Sequence, residues 1–540
     1  MKIESVPLKY TSPLVNSYLC NFQEVGHLFE HNPANPEAFR DRYEIIMRDY
    51  CTDRAELVRI LTEYNESLHC SEKTRENMQA LKEHDTVAII TGQQAGILTG
   101  PLYTIYKAIT AIQLAAEVSR HTGIRAVPMF WVASEDHDYA EIDHLDFINR
   151  EMQVDRLKIG RSPGKKYSIG DIPVTEDVYE LIEKLEELTN SAESKHELIN
   201  RVRGLAGEYS NLADWFAAIM SWFFHKHGLI MVNPLNRKLR GLLVDAFTAF
   251  LEKSANVNEK LQSGTAKVRQ LGSVPQVEKV ETNANMFIYI DGERLPLFKD
   301  GELFTVRGRD EKMTLSELAG IARNSPYLLS PNVVLRPVAQ DILLPIMAYV
   351  AGPGEISYYA LYREIYPLFN QRMPLIYPRV NITLVEKGTA KNMDRYGISF
   401  ADGVDGLRQK LNHYLNKQDK IGIDMLFENY AGELKELHRR LMDKVAAIDP
   451  ELVKHGSESL NRILHQVDYL EKKTHQQHRK TCDVVIKRFQ TMENQLFPRN
   501  NWQERVFNIF PYMFKYGTDF VEQLTELPLL RDFDHKLIYL

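Results

Sequence analysis

The segment between residues 86 and 144 constrains the fold more than any other part of the chain. It contains two short apolar runs, 87–90 and 126–132, separated by a length that suits one helix. Uninterrupted apolar runs of this kind are typical of strands that are covered on both faces of a parallel sheet. A strand, a loop, a helix and a second strand form a βαβ unit, so the sequence predicts an α/β fold with a parallel-sheet core.

A glycine-rich loop follows the first of these predicted strands. Gly92, Gly96 and Gly100 allow tight turns and a close approach of the backbone to a ligand. Free N–H groups at the start of the next helix favour phosphate or carboxylate, and Gln93 and Gln94 add uncharged amide groups. The spacing matches neither the Walker A loop nor Gly-x-Gly-x-x-Gly. We predict an anion-binding loop; the alternative is that the glycines only turn a tight corner between strand and helix.

Four acidic or titratable residues directly follow the second predicted strand, namely Glu135, Asp136, His137 and Asp138. Carboxylates beside a histidine raise its pKa and hold its tautomer, which suits acid–base catalysis or metal binding. The cluster lacks cysteine ligands and the His-Glu-x-x-His spacing of zinc-binding helices, so we expect no metal. We predict these four residues as the catalytic group. The alternative is a solvated loop whose acids cap a helix.

A second glycine turn follows the apolar run 343–350 and ends at Glu355. We predict that Gly354 and Glu355 bind substrate, with a plain strand-to-helix turn as the alternative. Ligands of open α/β sheets bind outside the carboxyl ends of the strands, where both glycine turns and the acidic cluster fall. We therefore expect Gln93, His137 and Glu355 to converge on one rim around a small polar ligand.

One further strand end and two arginines supply other candidates. Asn233 follows the predicted strand 229–232 and either contacts the ligand or forms a turn with the proline after it. Arg336 and Arg379 suit bidentate binding of carboxylates, and each has a structural ion pair as the alternative. The predicted substrate-binding set is completed by Tyr103 and Tyr358.

Bulk properties narrow the class of protein. A chain of 540 residues exceeds a single core, and 44% hydrophobic with 26% charged residues is ordinary for a soluble protein. The formal charge of −7 argues against a nucleic-acid partner, and apolar runs shorter than a membrane span argue against a membrane partner. The four cysteines are scattered without a Cys-x-x-Cys pair, which favours the reducing cytoplasm.

Composition changes along the chain predict four parts. These are N-terminal helices that pack on the core (1–84), the core with insertions at about 150–200 and 267–330 (85–390), a helical coiled-coil arm (391–495), and a C-terminal segment that docks back on the core (496–540). The second insertion contains runs that alternate as strands do, including 276–280, and turn signals at Asp291-Gly292 and Asp300-Gly301.

The arm is predicted from two runs of apolar residues that step by three and four. A break at Asp449-Pro450 separates the runs, so they form the two limbs of a helical hairpin. The stripe is wider than the partner limb needs to cover, which favours a homodimer through the arm. The stepped residues are Leu434, Leu437, Leu441 and Val445 in the first limb, and Leu460, Ile463, Val467 and Leu470 in the second.

Several longer motifs together resemble one known family over nearly the whole chain. The family comprises the cysteine-adding enzymes of bacillithiol biosynthesis, the cysteine ligases of low-GC Gram-positive bacteria and their relatives. The matching segments are Thr91-Gly-Gln-Gln-Ala-Gly-Ile-Leu-Thr-Gly-Pro101, Phe130-Trp-Val-Ala-Ser-Glu-Asp-His-Asp138, Leu335-Arg-Pro-Val338, Gly352-Pro-Gly-Glu-Ile-Ser-Tyr-Tyr359, Met373-Pro-Leu-Ile-Tyr-Pro-Arg379, Leu496-Phe-Pro and Gln503-Glu-Arg-Val506.

The resemblance implies a ligase that joins cysteine to the amine of glucosaminyl-malate through an amide bond, in the last step of bacillithiol biosynthesis. It also implies a Rossmann-like core similar to that of class I aminoacyl-tRNA synthetases, with connecting insertions and a coiled-coil arm. The His-x-Gly-His element of those synthetases is replaced here by residues 92–96. The nearest match to their Lys-Met-Ser-Lys-Ser loop is 312–316, in another place. Whether ATP serves as a cofactor stays open.

Two other functions compete with the ligase hypothesis. A metal-assisted hydrolase of an amide or sugar would use the same Glu-Asp-His-Asp cluster. A non-catalytic scaffold would depend on the coiled coil alone, and the two glycine turns make it the weakest of the three. In the ligase hypothesis, the acidic–histidine cluster supplies the base and binds amines and hydroxyls. The glycine loop and the arginines bind the anionic groups.

Overall fold

The computed structural model describes residues 1–160, 164–190, 193–277 and 282–540. The chain divides into two compact units. The core unit comprises Lys2–Thr383 and Trp502–Ile538. The arm unit comprises Leu384–Asn501, with the terminal residues Met1, Tyr539 and Leu540.

A five-stranded parallel sheet forms the centre of the core unit, in the order β5-β4-β1-β2-β3. The chain runs from β1 to β2 on one side of the sheet, whereas β4 leads to β5 on the other side. The strand order therefore reverses between β1 and β4, and such a switch point opens a crevice at the carboxyl ends of the strands. The strands are β1 (Val87–Gln93), β2 (Ala126–Val132), β3 (Ile230–Val232), β4 (Ile346–Ala351) and β5 (Leu375–Pro378).

The central strand is buried on both faces, as its uninterrupted apolar sequence predicts. Ala88 and Ile90 pack into one apolar core, and Val87 and Ile89 pack into another. The alternation follows from the two-residue period of side chains along a strand. Helix α1 (Leu102–Thr122) follows β1 and is buried along most of its length. The predicted α/β fold with a parallel core is confirmed.

Strand β4 begins later than the predicted apolar run at 343–350, and Pro345 explains the difference. That run begins at the end of a helix, Arg336–Leu343, and the strand starts only at Ile346. Pro345 lacks the N–H that would continue the helix and restricts the residue before it, so the helix stops and the strand begins after it. Helix α2 (Pro353–Tyr359) then begins directly after the glycine turn, because proline suits the first helical position.

The other strands lie in insertions and at the edge of the core unit. Two form an antiparallel pair, His144–Ile148 with Val154–Lys158. The predicted hairpins belong to a five-stranded antiparallel sheet, and the run 276–280 lies partly outside the described residues. In order across this sheet, the strands are Lys312–Thr314, Leu303–Val306, Glu293–Asp300, Asn283–Ile290 and Leu329–Pro331. A third sheet has three strands, and most of its residues belong to this unit. Its strands are, in order, Lys2–Val6, His535–Tyr539 and Ile382–Val385.

The remaining helices of the core unit surround these sheets. The N-terminal helix Glu37–Asp49 places Phe39 and Ile46 in the apolar core that also holds Val87 and Ile89. The others are Pro13–Cys20, Arg54–Ser67, Glu72–Ala80, Tyr139–Ile142, Glu176–Leu188, Glu193–Glu208, Leu212–Phe223, Arg237–Gly241, Val244–Glu252, Ser254–Gln270, Leu315–Asn324, Gln503–Val506, Phe510–Tyr516 and Phe520–Thr525. Within the described residues, no helix combines the length and apolar character needed to cross a membrane.

The arm unit is helical. Its two longest helices, α3 (Ile423–Val445) and α4 (Leu452–Thr481), pack against each other and flank the predicted break at Asp449-Pro450. They approach closely at Gly456, where an added Cβ would overlap the sulfur of Met442. Part of the apolar stripe stays exposed, at Leu437, Leu441, Ile463 and Leu470. The other helices of this unit are Lys387–Tyr396, Gly403–Gln418 and Asp483–Leu496.

Candidate functional site

A cavity of about 630 Å³ opens at the carboxyl ends of β1, β2 and β4, in the crevice of the switch point. Gln93, His137 and Glu355 all line it, so these three distant residues meet on one rim as we expected. Most of the other residues predicted for the site also line this cavity. They are Gly92, Gln94, Tyr103, Glu135, Asp136, Arg336, Gly354, Tyr358 and Arg379.

Two glycines of the first loop do not line the cavity. Gly96 and Gly100 are buried against each other: a Cβ on Gly96 would lie 2.8 Å from the Cα of Gly100, whose φ is +68°. The helix start is covered as well, because Leu102 N–H donates to Phe507 O at 2.8 Å. Asn508 Nδ2 donates to Gly100 O at 2.8 Å. The prediction of an anion site at these positions is wrong, because the glycines form a tight turn under the C-terminal segment.

Asn233 and Asp138 also lie away from the cavity wall. Asn233 Oδ1 accepts hydrogen bonds from Ser134 Oγ at 2.6 Å and from the backbone N–H of Leu235 at 3.0 Å. Its side chain therefore stabilises the turn after β3, which was the alternative to ligand contact. Asp138 is exposed, and its backbone N–H donates to Asp136 Oδ1 at 3.3 Å.

His137 is the histidine that lines the cavity. Its ring is 27% exposed and packs edge-on to Phe287, with centroids 5.8 Å apart. Burial lowers the pKa of His137, and the guanidinium of Arg294, 3.5 Å from Nδ1, lowers it further. These two effects outweigh the opposing effect of Asp136. The pKa of His137 is therefore lowered, whereas the neighbouring carboxylates had predicted that it would be raised. A pKa below the usual 6.5 leaves the ring neutral at pH 7, ready to accept a proton.

Asp136 is held in place by its own loop and by the first glycine loop. Its Oδ1 accepts the N–H of His137 at 2.7 Å, and its Oδ2 accepts Gln94 Nε2 at 2.8 Å. The carboxylate therefore fixes the geometry of the loop that carries the histidine. Glu135 differs, because it is buried and forms an ion pair with Arg240 at 3.3 Å. We assign Glu135 to the support of the loop rather than to proton transfer.

The floor of the cavity contains a buried ion pair that the sequence analysis did not predict. Lys107 Nζ on α1 lies 2.6 Å from Glu355 Oε2 on α2, and the two side chains are 4% and 16% exposed. Burial lowers the pKa of Lys107, and Glu355 opposes that effect. Burial raises the pKa of Glu355, but Lys107 and the Gly352 N–H outweigh it and the net pKa is lowered. The separation of 2.6 Å is that of a close ammonium–carboxylate contact.

The two predicted arginine forks have different surroundings. Arg379 binds Glu504 through both nitrogens, Nη1 to Oε2 at 3.0 Å and Nη2 to Oε1 at 2.6 Å. Its fork is thus already occupied, and the alternative of a structural ion pair holds for this residue. Arg336 donates from Nη2 to the hydroxyl of Tyr358 at 3.0 Å. Arg336 and Arg294 both line the cavity, but Arg294 is buried and donates to Ser330 Oγ and Pro331 O, each at 2.9 Å.

Two family descriptions together match almost the whole chain. Residues 1–380 match "Bacillithiol biosynthesis BshC, N-terminal Rossmann-like domain", and residues 382–540 match "Bacillithiol biosynthesis BshC, C-terminal coiled-coil domain". The chain belongs to the BshC family of bacillithiol biosynthesis. The predicted family, its Rossmann-like core and its coiled-coil arm are therefore confirmed.

Full-length relatives support the same assignment. A protein of Desulforamulus reducens is 35% identical over 543 residues, and one of Symbiobacterium thermophilum is 38% identical over 561 residues. Each alignment covers 100% of both chains, and each relative bears the name "Putative cysteine ligase BshC". A crystal structure from Campylobacter jejuni, titled as an arginyl-tRNA synthetase, is 12% identical with a TM-score of 0.24. That alignment covers 84% of this chain and 98% of the other, and a score so low supports no argument about fold or function.

The sequence analysis missed three charged residues that contact the site or its lining residues. They are Lys107, Arg294 and Glu504. Glu504 falls in a segment that matched the family, Gln503-Glu-Arg-Val506, but nothing in the segment itself indicates a partner in the core. Arg294 follows the Asp291-Gly292 turn, where an arginine is usually solvent-exposed. Lys107 gives the clearest signal, because it is a single charge within an otherwise uncharged helical stretch.

Proposed function

We propose that this protein is a cysteine ligase that joins the carboxyl group of cysteine to the amine of glucosaminyl-malate, completing bacillithiol. The full-length match to a family of bacillithiol biosynthesis supports the pathway. The cavity at the switch point supports the chemistry, because His137, whose pKa is lowered, lines it together with four arginines, Arg294, Arg336, Arg379 and Arg505. The position of His137 on the cavity wall, with its backbone N–H bound to Asp136, is the observation on which the proposal depends most.

His137 acts as the general base of the proposed reaction. The ring accepts a proton from the sugar ammonium, and the freed amine attacks the activated carboxyl carbon of cysteine. A new C–N bond forms while the C–O bond to the activating group breaks. Asp136 and Gln94 hold the loop so that the ring faces the cavity. A positioned base of this kind contributes about 10²–10⁴-fold to a rate.

A carboxylate of the malyl group binds to Arg336 in this proposal. Arg336 lines the cavity, whereas the fork of Arg379 is filled by Glu504 and the guanidinium of Arg294 is bound to Ser330 and Pro331. Gly354 and Tyr358 form the wall beside Arg336, and Tyr103 lies across the cavity next to Gln93. Amide formation requires an activated cysteine carboxyl, and ATP is the activator that we propose to test.

Product analysis tests the ligase directly. Purified protein is incubated with glucosaminyl-malate and cysteine, with and without ATP, and the products are identified by mass spectrometry. We expect a product that contains both substrates joined with loss of water. Asp136→Asn should lower its formation, and Asp138→Asn serves as the matched control because Asp138 lies outside the cavity. Absence of this product from the wild-type reactions under both conditions would refute the proposed function.

The hydrolase alternative gains no support from the family, whose relatives are named as ligases. Among residues that the structure describes, one group of histidine and carboxylates is close enough to share a metal ion, and it lies in the arm. That group is Asp424, Glu471 and His475. The Glu-Asp-His-Asp cluster after β2, which the hydrolase alternative would use for a metal, is held by hydrogen bonds within its own loop and by an ion pair to Arg240.

We also propose a cytoplasmic homodimer that forms through the arm. The exposed stripe at Leu437 and Leu441, 61% and 54% exposed, offers apolar surface to a second copy. Leu437→Glu combined with Leu441→Glu should shift the sedimentation coefficient to that of a monomer. Val274→Glu is the control, since Val274 is an exposed apolar residue of the core unit. A wild-type protein that sediments as a monomer at every concentration would contradict the dimer.

A further inference from the structure

Lys107 uses all three protons of its ammonium group on partners within the protein. Nζ donates to Gly92 O at 2.9 Å, to Gln93 Oε1 at 3.0 Å and to Glu355 Oε2 at 2.6 Å. An ammonium group has three donors and no acceptor. Lys107 therefore has no proton left for a substrate.

The contact with Lys107 decides which way the Gln93 amide points. Because an ammonium group only donates, the atom of Gln93 that faces Nζ must be the oxygen. The amide nitrogen then faces the other way, where Nε2 lies 3.3 Å from the hydroxyl of Tyr103 at the cavity. Gln93 thus presents a hydrogen-bond donor to the cavity rather than an acceptor.

The carboxylate of Glu355 is equally occupied. Oε2 accepts the Gly352 N–H at 2.7 Å in addition to Lys107, and Oε1 accepts the hydroxyl of Tyr349 at 2.7 Å. A longer contact of 3.4 Å joins Oε1 to Tyr358, whose hydroxyl accepts Arg336. The ion pair therefore connects the corner after β1 with the corner after β4, on the two sides of the switch point.

We propose that Lys107 is a positioning residue of this site. It turns the Gln93 amide so that its nitrogen faces the cavity, and it holds Glu355 and the second glycine turn in register with the first. The donor that results suits an oxygen that gains negative charge, such as that of the cysteine carboxyl during amide formation. This role rests on the proposed ligase function.

A double-mutant cycle between Lys107 and Gln93 tests the proposal. Lys107→Met and Gln93→Leu should each lower kcat/KM by about 100-fold, the effect of a displacement of about 1 Å at a catalytic site. If Lys107 acts through Gln93, the double variant loses no more than the larger single loss. Losses that multiply to about 10⁴-fold, or a Lys107→Met variant with wild-type kcat/KM, would overturn the proposal.

Repeating the cycle in a Glu355→Gln background distinguishes a loss of positioning from a loss of folding. Lys107→Met alone leaves the buried Glu355 charge without its partner, whereas the pair Lys107→Met and Glu355→Gln removes both charges at similar volume. Lys195→Met is the matched control. Lys195 is a buried lysine that donates to the carbonyl oxygens of Thr189 and Asn190, away from the cavity. It should lower Tm and leave kcat/KM unchanged.

A crystal structure of the Lys107→Met/Glu355→Gln variant separates this proposal from the ligase function. If wild-type protein makes no product, the ligase proposal fails, but the variant structure still tests the positioning role. We expect the Gln93 side chain to move or to adopt two conformers, and the turn at Gly352 to shift. A Gln93 amide and a glycine turn that superpose on those of the wild-type protein would overturn the role of Lys107.

Discussion

The buried ion pair between Arg379 and Glu504 gives a prediction whose magnitude follows from the structure. We expect Glu504→Gln to lower the free energy of unfolding of the core unit by about 3–5 kcal/mol, because it leaves a buried guanidinium without a counter-charge. The two side chains are 2% and 5% exposed, so water hardly screens the loss. Two charge-assisted hydrogen bonds of about 1.5–3 kcal/mol each give a similar range.

The pair should also be sensitive to acid. Burial raises the pKa of Glu504, but Arg379 outweighs burial and the net pKa lies below the usual value. A lowered pKa in the folded state stabilises the fold above the unfolded pKa of about 4.3. This contribution declines as the pH falls through the folded pKa. The difference between wild type and Glu504→Gln is therefore full at neutral pH and shrinks in acid.

Urea unfolding followed by tryptophan fluorescence measures this difference. All four tryptophans belong to the core unit, so the signal reports that unit alone; they are Trp131, Trp215, Trp222 and Trp502. The companion variant Arg379→Met/Glu504→Leu removes both charges and should lose less than Glu504→Gln. A loss below about 1 kcal/mol for Glu504→Gln, or a larger loss for the double variant, would refute the reasoning.

Three further predictions use the same measurements and steady-state kinetics. Gly96→Ala should destabilise the core unit by about 1–3 kcal/mol, because the new Cβ meets the Cα of Gly100. Gly354→Ala is the control: its Cβ would point into open space, so the free energy of unfolding in urea should change by no more than about 0.5 kcal/mol. Arg294→Met should raise the pKa of His137, because Arg294 lowers it in the wild-type protein. The acid limb of the pH profile of kcat/KM should then move to higher pH, since the base works only when deprotonated. An acid limb that does not move would exclude His137 as the base. Arg240→Met should cost about 3–5 kcal/mol in urea unfolding, because it leaves Glu135 buried and unpaired, and a variant as stable as wild type would contradict that ion pair's role.

The sheet could be predicted from the sequence because its signal is local. Strands β1 and β2 are short apolar runs bounded by glycine or acidic residues, and burial on both faces requires that pattern. The convergence of Gln93, His137 and Glu355 follows from the rule that ligands bind outside the carboxyl ends of parallel strands. Neither inference needs knowledge of a side-chain contact.

The wrong expectations concern partners that are distant in sequence. Asp136 beside His137 predicts a raised pKa, yet burial and Arg294, which comes from the inserted sheet, lower it. Gly96 and Gly100 read as an anion loop because the sequence does not reveal that Asn508 covers the helix start. In both cases the deciding atom is contributed by a segment more than 150 residues away.

The burial of Lys107 and its need for an acidic partner could nevertheless be predicted from the sequence. It is the only charged residue between positions 102 and 116, within a helix that the sheet must cover. A buried ammonium group costs several kcal/mol unless a carboxylate compensates it, so the helix itself demands an acidic partner. Glu355, which follows β4 next to β1 in the sheet, meets that demand. An isolated lysine in a buried helix after a glycine loop therefore predicts an acid at the end of the neighbouring strand, and both ends of the pair point to the site.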